Sequence, residues 1–151
     1  MMRRMVGFVA AVLVGALTMA AAVIAADHPA DWITLPFAGG LRVQAPPGST
    51  NDAAAGIDSA TGTIRGPGFS CFYDYGPYAN PLTDMGGSAE ALTLAGRAAR
   101  LVRADPDFDG LHIPDTGTGK GMTMKLTLAC RSPNPARRAE VRQVLRSIEL
   151  K

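Results

Sequence analysis

The chain has 151 residues, with 15 Lys+Arg against 13 Asp+Glu, two histidines and two cysteines. A near-neutral balance leaves no electrostatic footprint for nucleic acid. Two histidines with no paired ligand spacing argue against zinc, and the lack of Cys-x-x-Cys argues against thioredoxin-like redox chemistry.

Met1-Met-Arg3-Arg4 opens the chain, and an uncharged apolar run rich in Ala and Val follows from Met5 to Ala26. A charged start, an apolar middle and small residues before a polar break describe a secretory signal peptide, here residues 1–26. An uncleaved anchor is the alternative, because about 20 apolar residues span a bilayer. Cleavage would remove Arg3 and Arg4 and no acid, leaving residues 27–151 almost neutral. These residues are long enough for one domain around one core. The expected location is therefore periplasmic or secreted, with membrane contact only through an uncleaved leader.

Trp32-Ile33-Thr34-Leu35 reads as a strand or entry arm, and Leu41 to Ala45 as a strand stopped by Pro46-Pro47. Asn51 to Ala55 reads as a polar loop. Gly62 to Arg65 and Phe69 to Tyr75 read as two strands joined by Gly66-Pro67-Gly68. Period-two alternation would put Phe69, Cys71, Tyr73 and Tyr75 on one side, and Ser70, Phe72 and Asp74 on the other. Residues 90–104 have helix-like composition, but the Gly96-Arg97 break favours a hairpin of Leu92–Leu94 and Ala99–Val102. Their arginines 97, 100 and 103 would then mostly meet solvent.

Asp105 to Gly110 reads as a loop, Leu111 to Ile113 as a short strand and Asp115 to Gly121 as a flexible turn. Met122 to Cys130 alternates cleanly, with Met122, Met124, Leu126 and Leu128 on its apolar face. Asn134 and Pro135 suit a helix cap and first turn, and Val141, Val144, Leu145 and Ile148 form a helical stripe. Arg137, Arg138, Arg142 and Arg146 lie off that stripe and would form a solvated basic face. The fold expected is α+β: one mainly antiparallel sheet covered on one face by a C-terminal amphipathic helix.

Gly56-Ile57-Asp58-Ser59, Gly62, Ile64 and the strand end Asp74-Tyr75-Gly76 resemble an uncharacterised family of small exported bacterial proteins with a GIDSxxG…DYG motif. The ending Leu145-Arg-Ser-Ile148 is similar to theirs as well. The resemblance implies an exported α+β domain and transfers no catalytic residue.

Cys71 and Cys130 both fall on expected strands. An oxidising compartment and an even count favour a disulfide between them, against two separate buried thiols. Asp58, Arg65, Tyr73, Asp74, Tyr75 and Tyr78 would line a groove for a small polar ligand or glycan. The plainer reading is an Asx turn at Asp58 and tyrosines at the core edge. Asp105, Asp107 and Asp109 copy the first half of a calcium loop, but Thr116 stands where its bidentate Glu belongs, so an acidic surface turn competes. Gly117 to Gly121 lacks the Ser/Thr of a phosphate loop. No nucleophile elbow is present, and His112 stands alone. The sequence thus points to a non-enzymatic envelope module that binds a protein or small polar ligand. The alternatives are a small exported hydrolase on the Asp58/Asp74/Tyr75 surface and a calcium-stabilised module.

Overall fold

The structure, a computed structural model, describes residues 28–150. The expected signal segment lies outside the described residues. Strands β1 (Ile33–Pro36) and β2 (Arg42–Ala45) form a separate antiparallel pair. Seven more strands build the main sheet: β3 (Thr50–Ala55), β4 (Ala60–Gly66), β5 (Phe69–Gly76), β6 (Ser88–Leu94), β7 (Arg97–Ala104), β8 (Phe108–Gly119) and β9 (Met122–Arg131). All pairings are antiparallel, in the order β3-β4-β5-β9-β8-β7-β6. One short helix, α1 (Arg138–Arg146), follows. The described residues form a single domain, mostly antiparallel sheet with this one small α-helix.

The topology is two meanders joined side by side. Strands β3-β4-β5 form one and β6-β7-β8-β9 the other, each strand paired with its neighbour in sequence. Turn chemistry makes this possible. Both central residues of the β6–β7 turn, Ala95 and Gly96, have positive φ (47° and 77°), as do Lys120 and Gly121 of the β8–β9 turn (50° and 77°). Turns of that hand match the natural twist of a hairpin. The β4–β5 turn places Pro67 first and Gly68 second, at φ 78°, as expected.

The meanders meet where β5 pairs with β9, strands far apart in sequence. There Cys71 lies directly opposite Cys130, and the two form a disulfide across 59 residues of sequence. In the chain-entropy account a loop of that length gives roughly 4 kcal/mol.

Three segments read as loops are strand. Thr50–Ala55 pairs with β4 along its whole length, and an edge strand tolerates its small polar residues because only one side needs a partner. The acidic loop yields to β8 at Phe108. The Asp-Thr-Gly run also stays in β8, across a register shift between Ile113 and Gly117. Pro114 lacks an N–H, and the irregularity absorbs it. Asp115 Oδ1 accepts from the Gly117 N–H (2.8 Å), and Thr116 donates to the Met124 carbonyl (2.9 Å). The continuous partner strand β9 overrides the local turn preference. The hairpin expected within residues 90–104 is present and longer than its expected strands.

The alternation on β5 and β9 holds: Phe69, Cys71 and Tyr73, with Leu126, Leu128 and Cys130, are all buried. With Leu101, Leu111 and Ile113 they pack against Val141, Val144, Leu145 and Ile148 of the C-terminal segment. That same cluster takes in Phe37, Leu41 and Val43 from the β1–β2 pair. The roof over the core is therefore shared between helix and hairpin. Arg42 and Glu149 join the two by backbone hydrogen bonds in both directions (3.2 and 2.9 Å). Ser147 Oγ accepts from the Gln44 N–H at 2.9 Å. Asn134 Oδ1 caps the approach by accepting from the Ala136 N–H, and Pro135–Arg137 form a 3₁₀ turn before α1.

The helix arginines do not form a solvated face. Asp109 sits at the end of the core face with its side chain fully buried. Arg138 Nε reaches its Oδ2 at 2.8 Å and Arg142 its Oδ1 at 3.4 Å. Arg138 also donates to the Phe108 carbonyl (2.8 Å) and to Asp105 (2.9 Å). Hydrogen bonding to Asp109, against the opposing effect of burial, raises the Arg138 pKa further. Arg146 donates to both carboxylate oxygens of Glu90 on β6, holding Glu90 below the ordinary carboxylate range. Arg137 pairs with Glu140. The helix is docked by charge as well as by its apolar stripe.

Two outcomes follow from these joints. Replacing both cysteines with serine should lower unfolding free energy by about 2–4 kcal/mol, read from urea titrations of the oxidised protein and the variant. Asp109→Ala takes the carboxylate from Arg142 and leaves Arg138 only exposed Asp105 and backbone carbonyls, and should cost about 3 kcal/mol, whereas Asp52→Ala, at an exposed pair with Arg65, should cost under about 1 kcal/mol.

Candidate functional site

The strands outrun their roof. Strand β8 has 12 residues and β9 has 10, while α1 has nine and β1 and β2 four each. Toward the β3–β4 and β8–β9 turns the core face is therefore left uncovered. A cleft of about 410 Å³ occupies this place. Its wall is made by Ala55, Ala60, Tyr75 and Met124, with Ile57 and Met122 at the lip. Ile57 is 94% exposed and Met122 39%, so two apolar side chains stand in solvent at the mouth. Asp58 and Lys120 also line it, one from each turn.

Local sequence explains the shape. Register places Ala60 opposite Tyr75, so a small residue stands where the ring needs room. Gly39 adds to this space: a Cβ there would collide with the Tyr75 ring, and φ at Gly39 is +68°. Glycine is thus required twice over at that position, for conformation and for clearance.

The residues expected to line a groove separate into several places. Asp58 and Tyr75 meet in the cleft. Tyr73 is buried in the core, its ring lying over Gly62 and 5.2 Å from the Phe37 ring. Arg65 pairs with Asp52 on the exposed β3–β4 surface (2.9 Å). Tyr78 is 77% exposed beyond the end of β5. Asp74 points to the opposite face of the sheet, as alternation on β5 demands, and its Oδ1 is buried without a hydrogen-bond partner. Asp58, Asp74 and Tyr75 therefore do not form one constellation.

The three aspartates of the acidic turn also diverge. Asp105 pairs with Arg138, Asp107 with Arg131 at 2.6 Å, and Asp109 with Arg138 and Arg142. Their oxygens are directed to arginines instead of a common centre. Among the described residues no group of three or more His, Cys, Asp or Glu side chains is placed to hold a metal ion.

On the second face, residues 77–87 cross from β5 to β6, and Leu82 packs with Val102 and Phe108. Arg100, expected in solvent, donates to the Leu82 carbonyl at 2.8 Å. His112 is buried beside Thr127, Nδ1 to Oγ1 3.0 Å, and Thr127 donates to the Asn80 carbonyl at 2.6 Å. The hydroxyl has one proton and gives it to Asn80, so Nδ1–H of His112 is the donor toward Thr127. Asp74 and Arg100 complete this row, Asp74 opposite Thr127 and Arg100 opposite His112. The network straps the crossing segment to the sheet.

Compared with family models, with curated proteins and with solved structures, the chain matches none. Its chemistry is read from its own geometry.

Sequence reasoning missed the cleft residues Ile57, Lys120, Met122 and Met124 as a site. Alternation placed both methionines on the apolar face of their strand. What it lacked was the point where the roof ends, which depends on the separate β1–β2 pair and the length of α1.

The His112 strap has a pH signature. Burial first, then the charges of Lys125 and Arg100, lowers its pKa from 6.5. Below that value the unfolded chain takes up a proton that folded His112 resists, so its stabilising effect is present above pH 6.5 and lost as pH falls. Urea midpoints measured between pH 7.5 and 5.5 should decline, and His112→Gln should flatten that decline.

Proposed function

We propose that the protein is an exported, non-enzymatic binding module of the cell envelope, taking a small ligand with an apolar body in the cleft. The observation that carries this reading is the uncovered core face: Tyr75, Met124, Ala55 and Ala60 form a ready apolar wall of about 410 Å³. This volume falls within the usual range for small-molecule sites. A polar or glycan ligand fits this wall less well, because the aromatic and acidic residues that would grip it are dispersed. Export is supported by the charged start and apolar run of residues 1–26, by the Cys71–Cys130 pair and by the family resemblance of the GIDS and DYG segments. Among the described residues no helix is long and apolar enough to cross a membrane.

The reading is tested with a neutral apolar dye such as N-phenyl-1-naphthylamine, whose emission rises on leaving water. One saturable site is expected. Ile57→Glu and Met122→Glu, at exposed positions, should each weaken it about tenfold, a loss near 1.4 kcal/mol, while leaving thermal unfolding unchanged. Phe72→Ser, on the other face at 51% exposure, should leave dye affinity unaltered. Absence of saturable binding, or unaltered affinity in both glutamate variants relative to the parent protein, would reject the proposal.

A further inference from the structure

The rim of the cleft carries two unspent charges of opposite sign. Asp58 lies in the β3–β4 turn and Lys120 at the tip of the β8–β9 hairpin, and both line the opening. Among the described residues neither side chain has an ion-pair or hydrogen-bond partner, and they do not pair with each other. Elsewhere seven carboxylates, from Asp52 to Glu140, are held by arginine. Between Asp58 and Lys120 runs a surface dominated by Tyr75, Met122 and Met124.

Resting on the reading of this cleft as a ligand site, we infer that its occupant is a zwitterion with an apolar body, the class of a short peptide of apolar residues. Its cationic group lies toward Asp58 and its anionic group toward Lys120, while its side chains cover the wall. A neutral apolar molecule would leave both rim charges unanswered, and a singly charged one would leave one of them so. Complementary charges at the two ends also fix the direction in which the ligand lies, since reversal would bring like charges together.

Calorimetric titration of the full mature chain with four compounds of one apolar body tests this: leucyl-leucine, its N-acetyl form, its amide, and the N-acetyl amide. They present a zwitterion, an anion, a cation and a neutral molecule. Leucyl-leucine should bind best, about two- to fivefold tighter than either singly charged form, the range expected for exposed ion pairs. Asp58→Asn should weaken leucyl-leucine and the amide by about that factor and leave the N-acetyl acid unchanged. Lys120→Gln should weaken leucyl-leucine and the N-acetyl acid and leave the amide unchanged. The preference should shrink in high salt. Equal affinity for all four compounds, or indifference to both substitutions, would overturn the inference. If none of the four binds while the neutral dye does, the zwitterion assignment fails and the apolar site stands; if the dye fails too, both fall.

Discussion

Pairing of β5 with β9 is the joint on which the molecule depends. Every other pairing in the main sheet is between neighbours in sequence, closed by a turn. The β5–β9 ladder alone joins one meander to the other, with seven residue pairs in register from Ser70 to Gly76. Within the main sheet such a joint has the highest closure entropy. The disulfide sits within it, and Tyr73 opposite Leu128 and Tyr75 opposite Leu126 supply the apolar pairs beside it. The core then forms on the face these residues define.

Two roofing pieces and three sets of arginine contacts follow from that face. The nine-residue helix is too short to cover seven strands, and the β1–β2 pair completes the cover through Arg42 and Glu149. Arg138 and Arg142 fasten the helix to the buried Asp109, and Arg146 fastens it to the edge strand at Glu90. A buried carboxylate with two guanidinium partners adds little net stability over an apolar contact, but it fixes where the helix lies. The cleft is the remainder: the stretch of core face that two short pieces leave bare.

Much of the fold was legible because the signals were local. Alternation through Phe69 to Tyr75 and Met122 to Cys130, the Gly-Pro-Gly turn and the stripe from Val141 to Ile148 each correspond to an element that formed. The failures have one cause. Thr50–Ala55 and the Asp115–Gly119 run look like loops in isolation, and they are strands because a long neighbour supplies their hydrogen bonds. Arg138 looked like a surface residue because its partner, Asp109, is 29 positions away in sequence and was read as part of a metal-like turn. At the site, Asp58 and Tyr75 were found by chemistry and Lys120 was read only as part of a turn. Their convergence depends on the end-to-end alignment of two hairpins, which no local pattern contains.

The order in which these pieces become available has a consequence for the nascent chain. The first meander can close on itself as soon as Gly76 is made, but its apolar side finds no partner strand until Arg131, and only the β1–β2 pair covers part of it until Ile148. The growing chain therefore passes through a long intermediate with a partly uncovered apolar surface. Closure of the core waits on the arrival of the last twenty or so described residues.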